Sequence, residues 1–166
     1  MELIFSLMRM PGVGRAAEPD EVLRHFGDSD GKALGVRLLR QSFESRERRE
    51  VEAAVVVCFS FGISDDHIEP LLRLFYEDWH VKHEDVVTLL GRLKTNLAVD
   101  ALYLATEWVP DYLDYDESRA LATKAIWGLG EIAGPEAEQA LTRALDSDCE
   151  IVREGAQAQL ERRRRK

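Results

Sequence analysis

Cysteine is scarce in this chain of 166 residues, with only Cys58 and Cys149, far apart in the sequence. That excludes a disulfide framework and suits a reducing compartment. Histidine is scarce too, at four residues, and only His80 and His83 stand close together. A polar linker explains that pair more simply than a metal site does, so no metal and no cofactor is expected. Long apolar runs are missing. The opening "MELIFSLMRM" is too short to span a membrane, and Glu2 sits where a signal peptide carries a positive charge. It reads as neither export signal nor anchor, and a cytoplasmic location is expected. The Gly-rich stretch "PGVG" at Pro11 to Gly14 lacks the Lys-Ser/Thr pair that would make it a phosphate loop. Nothing alternates apolar and polar residues long enough to make a strand.

Positive charge is short as well: 22 basic residues face 31 acidic ones, for a net charge of −9. The last five residues, "RRRRK", are all basic, so the chain without them stands at −14. An acidic body repels nucleic acid and draws in basic proteins, raising their encounter rate. The basic tail reads as a solvated, frayed helix end. Against these absences stand 45% apolar and 32% charged residues, the composition of a folded domain with a heavily charged exterior. Residues 1–166 are expected to form a single domain.

Helical periodicity runs through most of the chain, which makes the class all-α. Pro19 opens a helix to Phe26, the run Asp28-Ser29-Asp30-Gly31 turns, and a second helix reaches about Phe43. Ser45 is placed to cap a third, which Gly62 stops after Phe61. Three windows then align without gaps: "FSFGISDDHIEPL" (59–71), "LGRLKTNLAVDAL" (90–102) and "LGEIAGPEAEQAL" (129–141). Each reads as a helix end, a tight corner and a return helix. A fourth copy begins after Cys149, where Val152, Ala156 and Leu160 follow Leu121, Ala125 and Leu129 at a spacing of 31 residues. Small residues at matched positions, such as Gly91, Gly130, Ala125 and Ala156, suit helices that approach closely from one repeat to the next. The pattern predicts a short α-solenoid of helical hairpins, with a degenerate N-terminal cap (1–44), repeats (45–160) and a basic tail (161–166).

The segment "AIWGLGEIAGPEAEQALTRALDSDCEIVREGAQAQL" resembles the short-period HEAT-like repeat of the phycobilin-lyase type. The shared features are an Ala-Leu-Gly-type helix end, a Pro-Glu-Ala opening of the second helix and a Val-Arg start to the next. The likeness is good from Ala120 to Leu160 and looser from Glu50 to Val109. Over "EDWHVKHEDVVTLL" and "YLDYDESRALATKAIWGLG" the chain is similar to small bacterial HEAT-repeat proteins that include immunity proteins of polymorphic and contact-dependent toxin systems. The resemblance implies a non-catalytic binding module whose partner is a cognate toxin.

Equivalent leucines lie 31 residues apart between Leu71 and Leu102 but 39 apart between Leu102 and Leu141. The eight added residues fall in a link between hairpins, "EWVPDYLDYDE", and insertions in a solenoid collect on one edge, often the edge that binds. Glu107, Trp108, Asp111, Tyr112, Asp114, Tyr115, Asp116 and Glu117 are its candidate partner-binding residues. The link one repeat earlier has the same character and adds Glu77, Asp78, Trp79, Glu84 and Asp85. If both links emerge on one edge, carboxylates meet a basic partner and aromatics anchor it. Taken singly, Trp79, Trp108 and Tyr115 each read first as plugs that seal the core between repeats. Trp127, set between Ile126 and Leu129, is expected in the core.

Enzymatic precedents with this repeat do not fit the residues. Deoxyhypusine hydroxylases hold iron with several His-Glu dyads, and here only His83-Glu84 occurs. Alkylpurine DNA glycosylases need a basic groove, whereas Arg37, Arg40, Arg46, Arg48 and Arg49 are interleaved with glutamates and read as a salt-bridged solvent face. Nothing calls for a tetrapyrrole. The expected function is therefore an immunity protein that covers a toxin domain, such as a nuclease, with no enzyme chemistry, no nucleic acid and no membrane. An enzyme or accessory lyase, and a general scaffold, are the alternatives.

Overall fold

The computed structural model describes residues 1–7 and 17–165; Pro11 to Gly14 and Lys166 lie outside them. The described residues form ten α-helices joined by three short 3-10 turns, and no strand occurs among them. The chain is all-helical, with neighbouring helices packed on one another. It divides into two compact units, Met1–Lys82 and His83–Lys166. No helix among the described residues is long and apolar enough to cross a membrane.

The first unit holds α1 (Glu2–Phe5), α2 (Pro19–Phe26), α3 (Gly31–Ser45), α4 (Arg48–Phe61) and α5 (Ile68–Phe75). Pro19 starts α2 where a missing N–H costs nothing, and Gly27 ends it in the left-handed region at φ 67°. The Asp30 carboxylate caps α3 by accepting from the Lys32 N–H at 2.8 Å. Helices α3 and α4 are the principal pair, burying Leu34, Leu38 and Leu39 against Val51, Ala54, Val55 and Cys58. Each fully buried aliphatic side chain contributes about 1.5–3 kcal/mol. Burial also pushes the Cys58 thiol up to about 12, so the thiol stays protonated as a core residue.

Two boundaries differ from the sequence reading. Helix α3 runs on to Ser45, and α4 starts at Arg48 with Glu47 at its N-cap. The Ser45 hydroxyl still accepts from the Glu47 N–H (3.3 Å) and donates to Glu50 (2.7 Å), so it buttresses the α3–α4 turn without being the cap. Gly62 closes α4 at φ 81°, where a side chain would be strained. The arginines around this turn pair mostly with distant carboxylates: Arg37 with Asp28, Arg40 with Glu69, Arg46 with Glu77 and Arg49 with Glu2.

The second unit holds α6 (His83–Leu93), α7 (Val99–Glu107), α8 (Ala120–Glu131), α9 (Pro135–Ala144) and α10 (Glu150–Arg164). Helix α8 is its centre and touches all four others. Leu121, Ala122, Ala125, Ile126, Gly128, Leu129 and Gly130 of α8 are all buried. Helices α6 and α8 meet glycine on glycine: a Cβ added to Gly91 would lie 2.8 Å from the Gly128 Cα, closer than real Cβ atoms come to backbone. The three aligned windows coincide with the α4–α5, α6–α7 and α8–α9 corners, and the 3-10 turns Asp65–His67 and Asn96–Ala98 fall at the same offset in the first two.

The C-terminal arginines are not simply frayed. The Arg163 guanidinium donates to the carbonyls of Leu129 (2.7 Å) and Ile132 at the end of α8, the first of which also accepts from the Ile132 N–H (3.3 Å). Arg162 pairs with Glu131 at 2.6 Å and lies over the Trp127 ring. Arg164 and Arg165 are exposed. Arg162 and Arg163 therefore clasp α10 to the end of α8.

Candidate functional site

Glu77, Asp78 and Trp79 belong to the first unit, and the other ten candidate residues belong to the second. In the first unit the acidic link is met by arginines. The Trp79 indole N–H donates to Glu77 (2.7 Å), Arg46 pairs with the same carboxylate and lies over the Trp79 ring, and Arg48 donates to the Trp79 carbonyl (2.7 Å). Trp79 and Glu77 are half-buried and Asp78 is exposed. His80 lies fully buried behind them. Its Nδ1 accepts from the Lys82 N–H, which leaves Nε2 to donate to the Leu74 carbonyl at 2.7 Å. A neutral ring is required, and burial lowers the His80 pKa accordingly.

In the second unit the link from α7 to α8 is pinned at its base. Tyr112, in the short turn Asp111–Leu113, places its hydroxyl 3.0 Å from His83 Nδ1 and accepts from the His83 backbone N–H at 3.2 Å. The Tyr112 and His83 rings stack at 5.6 Å, and Trp108 meets the His83 ring edge-on at 4.8 Å. His83 is fully buried, and Leu113 is buried beside the turn. Burial holds the Tyr112 phenol up at about 12. Arg119, in the left-handed region at φ 51°, donates to the Thr106 carbonyl at 3.0 Å and so ties the start of α8 to the end of α7.

Asp116 serves the fold. Its carboxylate accepts from the Ser118 hydroxyl and from the N–H groups of Ala120 (2.7 Å) and Ser118 (3.1 Å), and these bonds, the Ser118 hydroxyl foremost, lower its pKa. This satisfies an orphan N–H of the first turn of α8. Glu84 is half-buried and paired with Lys124, and Asp85 is half-buried in the first turn of α6, where acidic side chains suit the helix dipole.

What remains at the surface of the link is a set of outward groups: Glu107, Asp111, Asp114, Glu117 and Tyr115, the last 81% exposed. No lysine or arginine among the described residues pairs with these four carboxylates. Like charges on one short link lower the potential around it and favour a cationic ligand. Trp108 and Tyr112, by contrast, already have partners within the unit.

Among the described residues, no three His, Cys, Asp or Glu side chains converge in a way that could hold a metal ion. The third buried histidine, His67, accepts from the Ser64 N–H through Nδ1 (3.1 Å) and closes the α4–α5 corner.

Trp127 is not in the core: it is 54% exposed. It walls a groove of about 370 Å³ between α6 and α8, with Thr88, Arg92 and Lys94 on one side, Lys124 and Glu131 on the other, and Gly91 and Gly128 between them. The glycine contact draws the two helices together below the ring. Glu131 sits between Lys94 (3.0 Å) and Arg162 (2.6 Å), whose hydrogen bonds hold its carboxyl at about 2. A signal for this face was present in the sequence. Lys124, Trp127 and Glu131 recur at i, i+3 and i+7 and so share one side of the helix.

Comparison of the chain with protein-family models and with curated proteins gives no match to either.

Proposed function

We propose that this chain is a cytoplasmic, non-catalytic binding protein of the HEAT-like α-solenoid type, an immunity protein that neutralises a cognate toxin domain by covering it. The observation that carries the proposal is the link between α7 and α8. Glu107, Asp111, Asp114 and Glu117 stand outward around an exposed Tyr115, on a base fixed by Tyr112, His83 and Trp108. A fixed base lowers the entropy lost when the link meets its partner.

A toxin that cleaves nucleic acid must carry lysines and arginines for phosphate, and those groups complement the link. Charge then sets the rate of encounter and Tyr115 the residence time, with the aromatic worth about 2 kcal/mol if it lies centrally in the interface. The Glu77–Trp79 stretch contributes less, because Arg46 already neutralises Glu77. The HEAT-like resemblance of residues 120–160 supports the class.

The test is protection of cells expressing the proposed cognate toxin domain. The variant Asp111→Asn/Asp114→Asn/Tyr115→Ala/Glu117→Gln should keep its thermal transition and lose protection. Asp116, Trp108 and Tyr112 are left intact because they hold the link in place. Full protection by the variant would rule out the link as the docking surface.

A further inference from the structure

From Glu107 to Arg119 the sequence holds five carboxylates and one basic residue, Arg119 itself. That cation stands where it could neutralise the acidic link, yet it is turned away from it. Its guanidinium donates inward to the Thr106 carbonyl at 3.0 Å, in the last turn of α7. Among the described residues, no ion pair joins it to Glu107, Asp111, Asp114 or Glu117.

The backbone of Arg119 is held from both sides. Its N–H donates to the Asp116 carbonyl (3.1 Å) and its carbonyl accepts from the Thr123 N–H (2.9 Å). Its φ of 51° and ψ of 48° are left-handed, a conformation that costs energy in a residue with a branched-off side chain and persists only where the surroundings fix it. That conformation aims the side chain at Thr106. Arg119 shares a small notch with Trp108, Val109, Pro110, Leu113 and Leu121, whose apolar groups partly shield the bond from water. A hydrogen bond from a charged donor in such surroundings is stronger than a neutral one. It also joins the two ends of the link, which begins one residue after Thr106 and ends one residue before Arg119. A loop closed at its neck has fewer conformations open to the carboxylates it carries.

We infer that Arg119 is the positioning residue of the docking link: its inward bond to Thr106 fixes the outward carboxylates for a cationic partner and withholds its own charge from them. The inference rests on the docking role proposed for the link.

Arg119→Asn tests it, since asparagine tolerates the left-handed region and its side chain is too short to span to Thr106, and Arg119→Lys, long enough to donate, is the rescue. Amide hydrogen exchange is followed by NMR on the whole protein. The Leu113 and Asp116 amides, bonded within the link at 2.8 and 2.9 Å, should exchange at least about tenfold faster in Arg119→Asn, with the melting transition retained, and Arg119→Lys should restore slow exchange. Hexalysine at low salt is the cationic probe. It should shift the Asp111, Asp114, Tyr115 and Glu117 amide signals of the wild-type protein saturably, and should bind Arg119→Asn at least about threefold more weakly. Charge alone predicts the reverse, because that variant has lost a positive charge. Unchanged exchange in Arg119→Asn, hexalysine bound as tightly as by the wild-type protein or more so, or loss of the cooperative melting transition would each overturn the positioning role alone. Absence of saturable hexalysine binding at the link of the wild-type protein would overturn the docking surface and this role with it.

Discussion

Replacing Tyr112 by Phe removes one oxygen and leaves the ring stacked on His83. In the wild-type protein that oxygen makes two hydrogen bonds, to the His83 backbone N–H (3.2 Å) and to His83 Nδ1 (3.0 Å), against a histidine with no solvent exposure. Each contributes about 0.5–1.5 kcal/mol net, so Tyr112→Phe should lower stability by about 1–3 kcal/mol. Urea denaturation followed by circular dichroism measures this, with the slope unchanged if the unfolded state is unaffected. The same hydroxyl gives a signature at high pH. Its pKa is raised from 10.0 to about 12, so between those values the folded protein keeps a proton that the unfolded chain releases. Its share of stability is complete below pH 10 and is lost as pH rises through about 12. A tyrosine component that titrates late in near-ultraviolet absorbance should disappear in the variant. A loss below about 0.5 kcal/mol, with no missing late component, would show that Tyr112 does not pin the link.

Gly91→Ala should cost about 1–3 kcal/mol despite the better helix propensity of alanine, because the new Cβ meets the Gly128 Cα; thermal unfolding measures it, and a neutral effect would remove the close approach. Arg163→Ala should destabilise by about 1–2 kcal/mol through the lost bonds to the Leu129 and Ile132 carbonyls, while Arg164→Ala at an exposed position stays within about 0.5 kcal/mol. His67 and His80 have pKa values lowered from 6.5, mainly by burial. The unfolded chain therefore binds protons that the folded one refuses, and stability is complete above pH 6.5 and falls as pH drops below it. Denaturation midpoints across that range check this, and His80→Gln should flatten the slope.

The helix pairs were legible because punctuation and periodicity act locally. Gly62 ends α4, Pro19 and Pro135 open α2 and α9, and the three aligned windows fall on three corners. The inserted link was legible as extra length and composition. Its division of labour was not, since it depends on pairing across the fold. Tyr112 faces inward because His83, 29 residues earlier, offers it a partner, and Asp116 is occupied by the first turn of α8. Tyr115, with no such partner, remains outside. Trp127 was misplaced because its neighbours Ile126 and Leu129 are core residues, but position 127 lies on the same helical side as Lys124 and Glu131. The clasp made by Arg163 was hidden for a similar reason: a basic run gives no local sign that carbonyls at the end of another helix await it.

The most direct measurement of the central claim is the association rate of the purified protein with the proposed cognate toxin domain, followed by stopped flow at low and high salt. The account predicts a rate that falls steeply as salt rises, with dissociation little changed, and an Asp111→Asn/Asp114→Asn/Glu117→Gln variant that associates slowly and has lost most of that dependence. A rate indifferent to salt, or a variant that associates as fast as the wild-type protein, would contradict it.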